Sequence, residues 1–442
     1  MEKEREKEME MEKPGWLLPR GGVDETEFCR EFYMKHSIIF QDGAFFSPEG
    51  RIADQEVLKQ MIYRELRDHI RRGIAAKVES ILNALRYEAA QNCLRETLSE
   101  TLMTIPVANG TYRLDTGFSP MKHLTRYRLP VNYCPQAPVP ERWLAFLEEL
   151  LHEEDIPTLQ EFMGYCLIPS TLAQKMLIIT GKGGEGKSRI GVVMKALLGI
   201  NMNLGSIAKV EKSPFARADL QHTLLMVDDD LKMEALDQTN YLKSIITAEL
   251  PMDLEKKGIQ SYQGRLNVRF LAFGNGSLQA LHDRSHGFFR RQILLEAKER
   301  PAGRKDDPYL ADALLREKEG ILLWAIEGLE RLILQDFRFT MSRRARENLL
   351  RSMSQSNNVM DFMRSEGYIR FAPDMATPFR ILYRCYQDWC EDNAARPLSA
   401  ASFAQYLNQN QQTYQISYNR GVPIGNGRYA RGYQGVEVLP RM

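Results

Sequence analysis

Residues 181–188 read Gly-Lys-Gly-Gly-Glu-Gly-Lys-Ser, between the apolar run Met176-Leu177-Ile178-Ile179-Thr180 and a segment carrying Ile190, Val192, Val193 and Met194. A buried strand, then a glycine loop, then an amphipathic helix confines this part of the chain to an α/β fold. Glycines let successive backbone N–H groups converge on phosphates, and the helix N-terminus adds partial positive charge. In such a loop the lysine, Lys187, reaches the outer phosphates and the hydroxyl of Ser188 helps to hold Mg²⁺. The nucleotide-binding residues read from it are Gly181, Gly183, Gly184, Glu185, Gly186, Lys187, Ser188 and Arg189. Such a loop is expected to bind a nucleoside triphosphate, and nothing in it reads the base.

Other features bound the class. A length of 442 residues suggests two to four domains. A hydrophobic fraction of 43% and a charged fraction of 26% are ordinary for a globular protein. No apolar run approaches the roughly 20 residues that cross a bilayer, so no membrane partner is expected. Met1 to Lys13 alternates Glu with Lys, Arg and Met and lacks the apolar core of a signal peptide. The six cysteines, at 29, 93, 134, 166, 385 and 390, include no CxxC pair and no histidine at zinc spacing, which argues for reduced thiols and no metal cluster. A net charge of +1 leaves any nucleic-acid binding to local patches.

Along the chain, a charged tail (1–14) precedes an N-terminal module (15–140) that is mostly helical. From Val23 to about Leu98 the periodicity is helical, most clearly at Glu56–Arg72 and Ala75–Asn92. Asn109-Gly110, Asp115-Thr116-Gly117 and Pro130 then punctuate short β-like runs between Pro106 and Tyr133. Trp143–Leu151 and Thr158–Cys166 read as helices leading into an α/β block from about Gln174 to Glu296, whose last strand covers Arg291–Leu295. Helical patterns follow over Ala313–Asp336 and Met341–Met353. Together they make an α/β nucleotide-binding module with flanking helices (141–350), a polar linker (351–360) and a terminal module (361–442).

Downstream of the loop, Thr223-Leu224-Leu225-Met226-Val227 ends in Asp228-Asp229-Asp230. Carboxylates at the tip of a buried strand are costly unless cations or water satisfy them, and Mg²⁺ beside phosphates does so. Asp228 is assigned to Mg²⁺, Asp229 to polarising the attacking water, and Asp230 to a helix N-cap; which acid does which job is left open. A second apolar strand, Val268–Phe273, ends in Gly274-Asn275-Gly276, where Asn275 suits a position beside the γ-phosphate. Asp283 to Arg291 follows. Arg291 is the first choice, Arg290 the second and Arg284 the third for an arginine offered to a neighbouring subunit's γ-phosphate. Leu254–Arg265 reads as a basic, aromatic hairpin. If it points into a ring's channel, Lys256, Lys257, Gln260 and Tyr262 there would contact a DNA strand, the lysines at its phosphates, without reading sequence.

This order of motifs resembles the superfamily 3 helicases of the AAA+ class. It is similar in particular to the helicase part of phage and plasmid primase-helicases related to the poxvirus primase-helicase, and to the replication helicases of staphylococcal mobile elements. Asp283–Arg291 matches that family's Asp-Arg-Ser-x-Gly-Phe-x-Arg-Arg pattern, and Ile105–Gly117, Leu129–Tyr133 and Trp143–Leu147 echo its preceding module. Three aspartates where many relatives have a Glu or an acidic pair is a departure. No carboxylate pattern for a primase precedes the motor, so primer synthesis is not expected.

The terminal module reads as helix (Phe379–Asn393), helix (Ser399–Asn408) and hairpin (Tyr414–Val438), the layout of a winged helix. From residue 364 to the end, nine arginines face six acids, about +3, and Arg420, Arg428 and Arg431 are the candidate DNA contacts.

The resemblance implies a cytoplasmic, DNA-translocating replicative helicase of a phage or mobile element in a bacterial host. It would use ATP and Mg²⁺, assemble as a homo-oligomer, with a hexamer expected, and act on single-stranded and forked or origin DNA, with a separate primase or polymerase as a further candidate partner. Two alternatives stay open: an ATP-switched origin-binding initiator that unwinds little, and an AAA+ NTPase that remodels protein complexes.

Overall fold

The structure is a computed structural model. It describes residues 14–19, 21–91, 98–231, 239–274, 286–301, 303, 307–356, 358–393, 395, 397–424 and 427–440. Two compact units emerge: the described residues of 14–231, 239–274 and 291–345 form the first, and those of 286–290 and 346–440 the second. The N-terminal module and most of the α/β module read from the sequence thus lie in one unit, with 286–290 and 346–350 of the latter in the second. The charged tail falls outside the described residues except for Pro14.

The first unit begins with a helix, Glu25–His36, started by Asp24, whose carboxylate accepts from the N–H groups of Thr26 at 3.1 Å and Glu27 at 3.0 Å. Its successors are strands, which corrects the expectation of helix throughout Val23–Leu98. Strands β1 (Ile39–Gln41), β2 (Ala44–Ser47) and β3 (Gly50–Ile52) form an antiparallel sheet. The physical reason is Asp42-Gly43, with φ of 51° and 76°, a two-residue turn whose left-handed backbone suits a hairpin and ends a helix. Helices Gln55–Leu66 and Ile74–Ala89 complete this part around Trp16, Phe28, Phe32, Leu58 and Leu85.

A second antiparallel sheet, β4 (Thr104–Val107), β5 (Gly110–Arg113) and β6 (Gly117–Ser119), occupies the segment where turn residues predicted strands. Buried Arg128 braces it by donating to the carbonyls of Val107 at 2.6 Å and Gly110 at 2.7 Å. Helices Glu141–Leu150 and Ile156–Tyr165 lead into the α/β core.

That core holds β7 (Met176–Thr180), β8 (Met202–Leu204) and β9 (Leu225–Leu231). The antiparallel hairpin β10 (Met252–Lys256) and β11 (Ile259–Gly264) interrupts it before β12 (Arg269–Gly274) and β13 (Gln292–Glu296). Five of these strands, all parallel, make one sheet in the order β13-β7-β12-β9-β8. Strands β7 and β12 are buried up to their last residue, as strands covered on both faces must be. Helices Leu310–Leu315 and Lys318–Leu334 follow, the latter packed along Ile156–Tyr165.

In the second unit, β14 (Ile369–Pro378), β15 (Ser417–Pro423) and β16 (Tyr429–Val438) form an antiparallel sheet in the order β14-β16-β15. Helices Phe379–Asp392 and Ala400–Gln409 pack with it around Phe362, Tyr386, Phe403 and Tyr433. Strand β14 had no counterpart in the sequence reading. The expected linker at 351–360 is also corrected: helix Arg343–Ser356 runs through its first half and helix Val359–Arg364 begins in its second. Its Ser, Gln and Arg residues are polar but do not break a helix. Among the described residues no helix is long and apolar enough to cross a membrane.

Candidate functional site

The glycine loop joins the carboxyl end of β7 to helix Ser188–Leu198. Gly183, Gly184 and Gly186 have φ of 106°, 79° and 103°, backbone that side chains rarely adopt. Gly181 faces the lysine: a Cβ there would lie 2.6 Å from Lys187 Nζ and would displace that flexible ammonium. Lys187 is buried, and its ammonium donates to Glu185 Oε2 at 2.6 Å. Glu185 Oε1 accepts from the Gly183 N–H at 2.7 Å. Burial pushes the Glu185 carboxyl up, but the Lys187 ammonium and the loop N–H groups outweigh it and hold it below the usual range. Ser188 is exposed at the start of the helix and Arg189 half-buried behind it.

Strand β12 brings the neighbouring elements to this loop. The carbonyl of Gly274 accepts from the Gly181 N–H at 3.0 Å, so the strand tip sits against the loop's first residue. Asn275 lies outside the described residues, as do Asp283 and Arg284.

On the other side of β12, β9 carries the acids. The register passes from Ala272↔Asp228 to Gly274↔Leu231, so β9 holds one extra residue and Asp229 and Asp230 together oppose Phe273. This bulge breaks the alternation of faces and leaves both Asp229 and Asp230 exposed. Asp228 is buried; its Oδ2 accepts from the Ile207 N–H at 2.8 Å and its Oδ1 from the Asp230 N–H at 3.4 Å. Burial pushes its carboxyl up, against those two hydrogen bonds. The N-cap role expected of Asp230 is therefore corrected. Asp230 lies within β9, and it is Asp228 that accepts the first N–H of helix Ile207–Lys212.

Arg291 is elsewhere. Its carbonyl accepts from the Met176 N–H at 2.8 Å, which puts it beside the first residue of β7, at the amino-terminal edge of the sheet. The loop leaves the opposite, carboxyl edge. Five residues of strand, at about 3.3 Å each, separate the two by roughly 16 Å. Arg290 is exposed and belongs to the second unit.

The hairpin β10–β11 turns at Lys257-Gly258, with Lys257 and Gln260 exposed. Lys256 and Tyr262 are half-buried, and both donate to Gln221 Oε1 at 2.8 Å, with the Lys256 ammonium 5.4 Å from the Tyr262 ring centre. They border a cleft of about 690 Å³ that Asp42, Arg126, His222 and Arg265 also line. In the second unit Arg420, Arg428 and Arg431 are all exposed on the β15–β16 hairpin.

Four contributors were missed in the sequence: Arg300, Glu299, Gln221 and Arg269. Arg300, beyond the end of β13, brings Nη1 to 3.5 Å from the Gly184 carbonyl, and Glu299 pairs with Lys182 of the loop. Gln221 clamps the hairpin. Buried Arg269 ties the start of β12 to the end of helix Ile156–Tyr165, donating to the carbonyls of Cys166 at 2.9 Å and Ser170 at 3.2 Å. No local pattern marks any of these, because each acts on residues distant in sequence.

A family described as of unknown function, DUF5906, matches residues 179–291, which run from just before the loop to Arg291. Among solved structures, the A-form apo structure of the C-terminal region of NrS-1 (305–718) is 12% identical, with a TM-score of 0.51. The alignment covers 94% of this chain and 100% of that one. Two further apo structures of the same region, each 11% identical with the same coverages, have TM-scores of 0.49 and 0.47. At this identity the likeness is one of fold.

Proposed function

We propose that this chain is an ATP-dependent DNA helicase of the ring-forming superfamily 3 type, serving replication of a phage or mobile element, with an AAA+ motor and a C-terminal winged helix. The observation that carries this reading is the order β13-β7-β12-β9-β8. It lines up the ends of β7, β12 and β9, so that the glycine loop, the Gly274 tip and the acids share one carboxyl edge, where open α/β sheets take their ligands. The second unit supports the winged-helix part, with helices packed on a small sheet whose outer hairpin exposes three arginines.

Each residue then has a task. Lys187 and the loop N–H groups bind phosphates. Ser188 and Asp228 would hold Mg²⁺, which supplies positive charge against the phosphates. The donors fit: an exposed hydroxyl and a carboxylate whose two oxygens accept one N–H each, leaving lone pairs over. Asp229, turned out by the bulge, orients the attacking water, and Asn275 is the residue assigned by the sequence to the γ-phosphate. Arg291, with Arg290 as second choice, serves a neighbouring subunit's nucleotide, which requires a homo-oligomer. Lys256, Lys257, Gln260 and Tyr262 follow one DNA strand, and Arg420, Arg428 and Arg431 grip the duplex through its phosphates.

The test is ATP hydrolysis with and without single-stranded DNA, followed by strand displacement on a forked duplex. Hydrolysis should rise with DNA, the fork should open, and Lys187→Ala should abolish both. Hydrolysis indifferent to DNA, with no displacement, overturns the helicase reading. DNA binding that depends on ATP, without displacement, would favour an initiator.

A further inference from the structure

The loop carries its own anion. Between the glycines, Glu185 is 3% exposed and spends both carboxylate oxygens inside the loop, one on the Gly183 N–H at 2.7 Å and one on the Lys187 ammonium at 2.6 Å. A loop N–H and the loop lysine are the two kinds of donor that a phosphate recruits here. A carboxylate and a phosphate are both acceptors with negative charge. They cannot share these donors in a buried space without like-charge repulsion.

Gly181 lies against this pair: an added Cβ would fall 2.6 Å from Lys187 Nζ and 2.9 Å from the Glu185 carboxyl, and would push both side-chain ends aside. The pairing is also strong enough to keep the carboxyl ionised despite its burial.

We infer that Glu185 is a built-in competitor of the nucleotide: its carboxylate takes the loop N–H and the ammonium that a phosphate would use, and has to leave before a phosphate enters. The inference rests on the reading that this loop binds phosphates. Its consequences are a stiffened, charge-balanced empty loop and a nucleotide affinity held below what the same loop would otherwise reach. Glu185 then sets how much nucleotide the protein needs before it loads.

The experiment measures binding of a non-hydrolysable ATP analogue to the full chain by calorimetry. Wild type, Glu185→Gln, Glu185→Ala and Lys187→Ala are compared, with thermal unfolding of each in the absence and presence of saturating analogue. Glu185→Gln keeps an acceptor for the Gly183 N–H but removes the charge, and should tighten Kd by roughly tenfold, the scale of one charged hydrogen bond. Glu185→Ala should unfold at a lower temperature than wild type when empty. With nucleotide it should match wild type, because the displaced carboxylate holds no phosphate, which corrects the placing of the Glu185 side chain among the nucleotide-binding groups.

Equal or weaker binding by Glu185→Gln, with wild-type unfolding when loaded, overturns the competitor role and leaves the loop's function standing. Failure of wild type and all variants to bind the analogue overturns the phosphate-loop reading itself, and this inference falls with it.

Discussion

His222 shows what a single buried residue contributes. It is 6% exposed, lies edge-on to Phe46 with ring centres 5.4 Å apart, and brings Nε2 to 3.3 Å from the Asp42 carbonyl. A carbonyl only accepts, so Nε2 carries the proton of a neutral ring. Burial, then the Arg51 and Arg126 charges, bring its pKa down to about 4, against an upward pull from Asp42. In the unfolded chain the same imidazole titrates near 6.5. Between those values the unfolded state holds the extra proton, so His222 favours folding above pH 6.5 and loses that contribution as pH falls towards 4. We predict that stability drops by on the order of 2 kcal/mol from pH 7 to pH 5 through this residue. Denaturant titrations should show a shallower drop for His222→Gln; parallel pH profiles would refute it. Neither His222 nor its partner is legible as a pair in the sequence, because Asp42 lies 180 residues away.

Elements were more legible than their pairings. Apolar spacing announces helices near 158–166 and 313–336, but not that they pack backbone to backbone. Two glycines permit that approach. A Cβ on Gly164 would lie 2.2 Å from the Ala325 carbonyl oxygen, and one on Gly328 2.4 Å from that of Gln160. The same contact buries Glu161, which accepts from Arg331 Nε at 2.7 Å and from the Thr340 N–H at 2.7 Å. Gly328→Ala is therefore expected to destabilise the protein by about 1–3 kcal/mol, through forced separation of the helices. Its melting temperature should fall by several degrees; an unchanged or raised value would show that the helices can part cheaply.

Strand β9 makes a related point. Its apolar run and three aspartates are plain in the sequence. The bulge that exposes Asp229 and Asp230 together is not, because an extra residue is defined only against the partner β12. The β1–β3 sheet, by contrast, is legible: Asp42-Gly43 between Ile39-Phe40 and Phe45-Phe46 is a hairpin signal, set between two stretches of strong helical periodicity that mask it.

For the molecule as a whole, the position of Arg291 decides what an arginine there can do. It sits at the amino-terminal edge of the sheet, roughly 16 Å of strand away from the loop of its own chain. If it contributes to hydrolysis, the nucleotide belongs to another copy. Arg291→Ala should bind nucleotide normally yet hydrolyse it poorly, by 10³-fold or more. Mixed with equally inactive Lys187→Ala subunits, it should recover part of the activity, since some interfaces would pair an intact loop with an intact arginine. Mixed assemblies that stay inactive at every ratio would exclude a shared site.

Contiguous chemistry was set by the sequence alone. The loop, its strand and helix, the acidic strand end and the arginine-bearing hairpin of the last module each depend on residues within a few positions of one another, where spacing and side-chain type suffice. Tertiary structure decided the rest: β12 between the loop strand and the acidic strand, Gln221 under the hairpin, Arg300 over the loop, and Asp228 committed to a helix start. An apolar strand accepts many apolar neighbours, and a charged side chain many partners. Only the packing of the whole chain selects among them, because burying a polar group is tolerable solely where its partner is also brought.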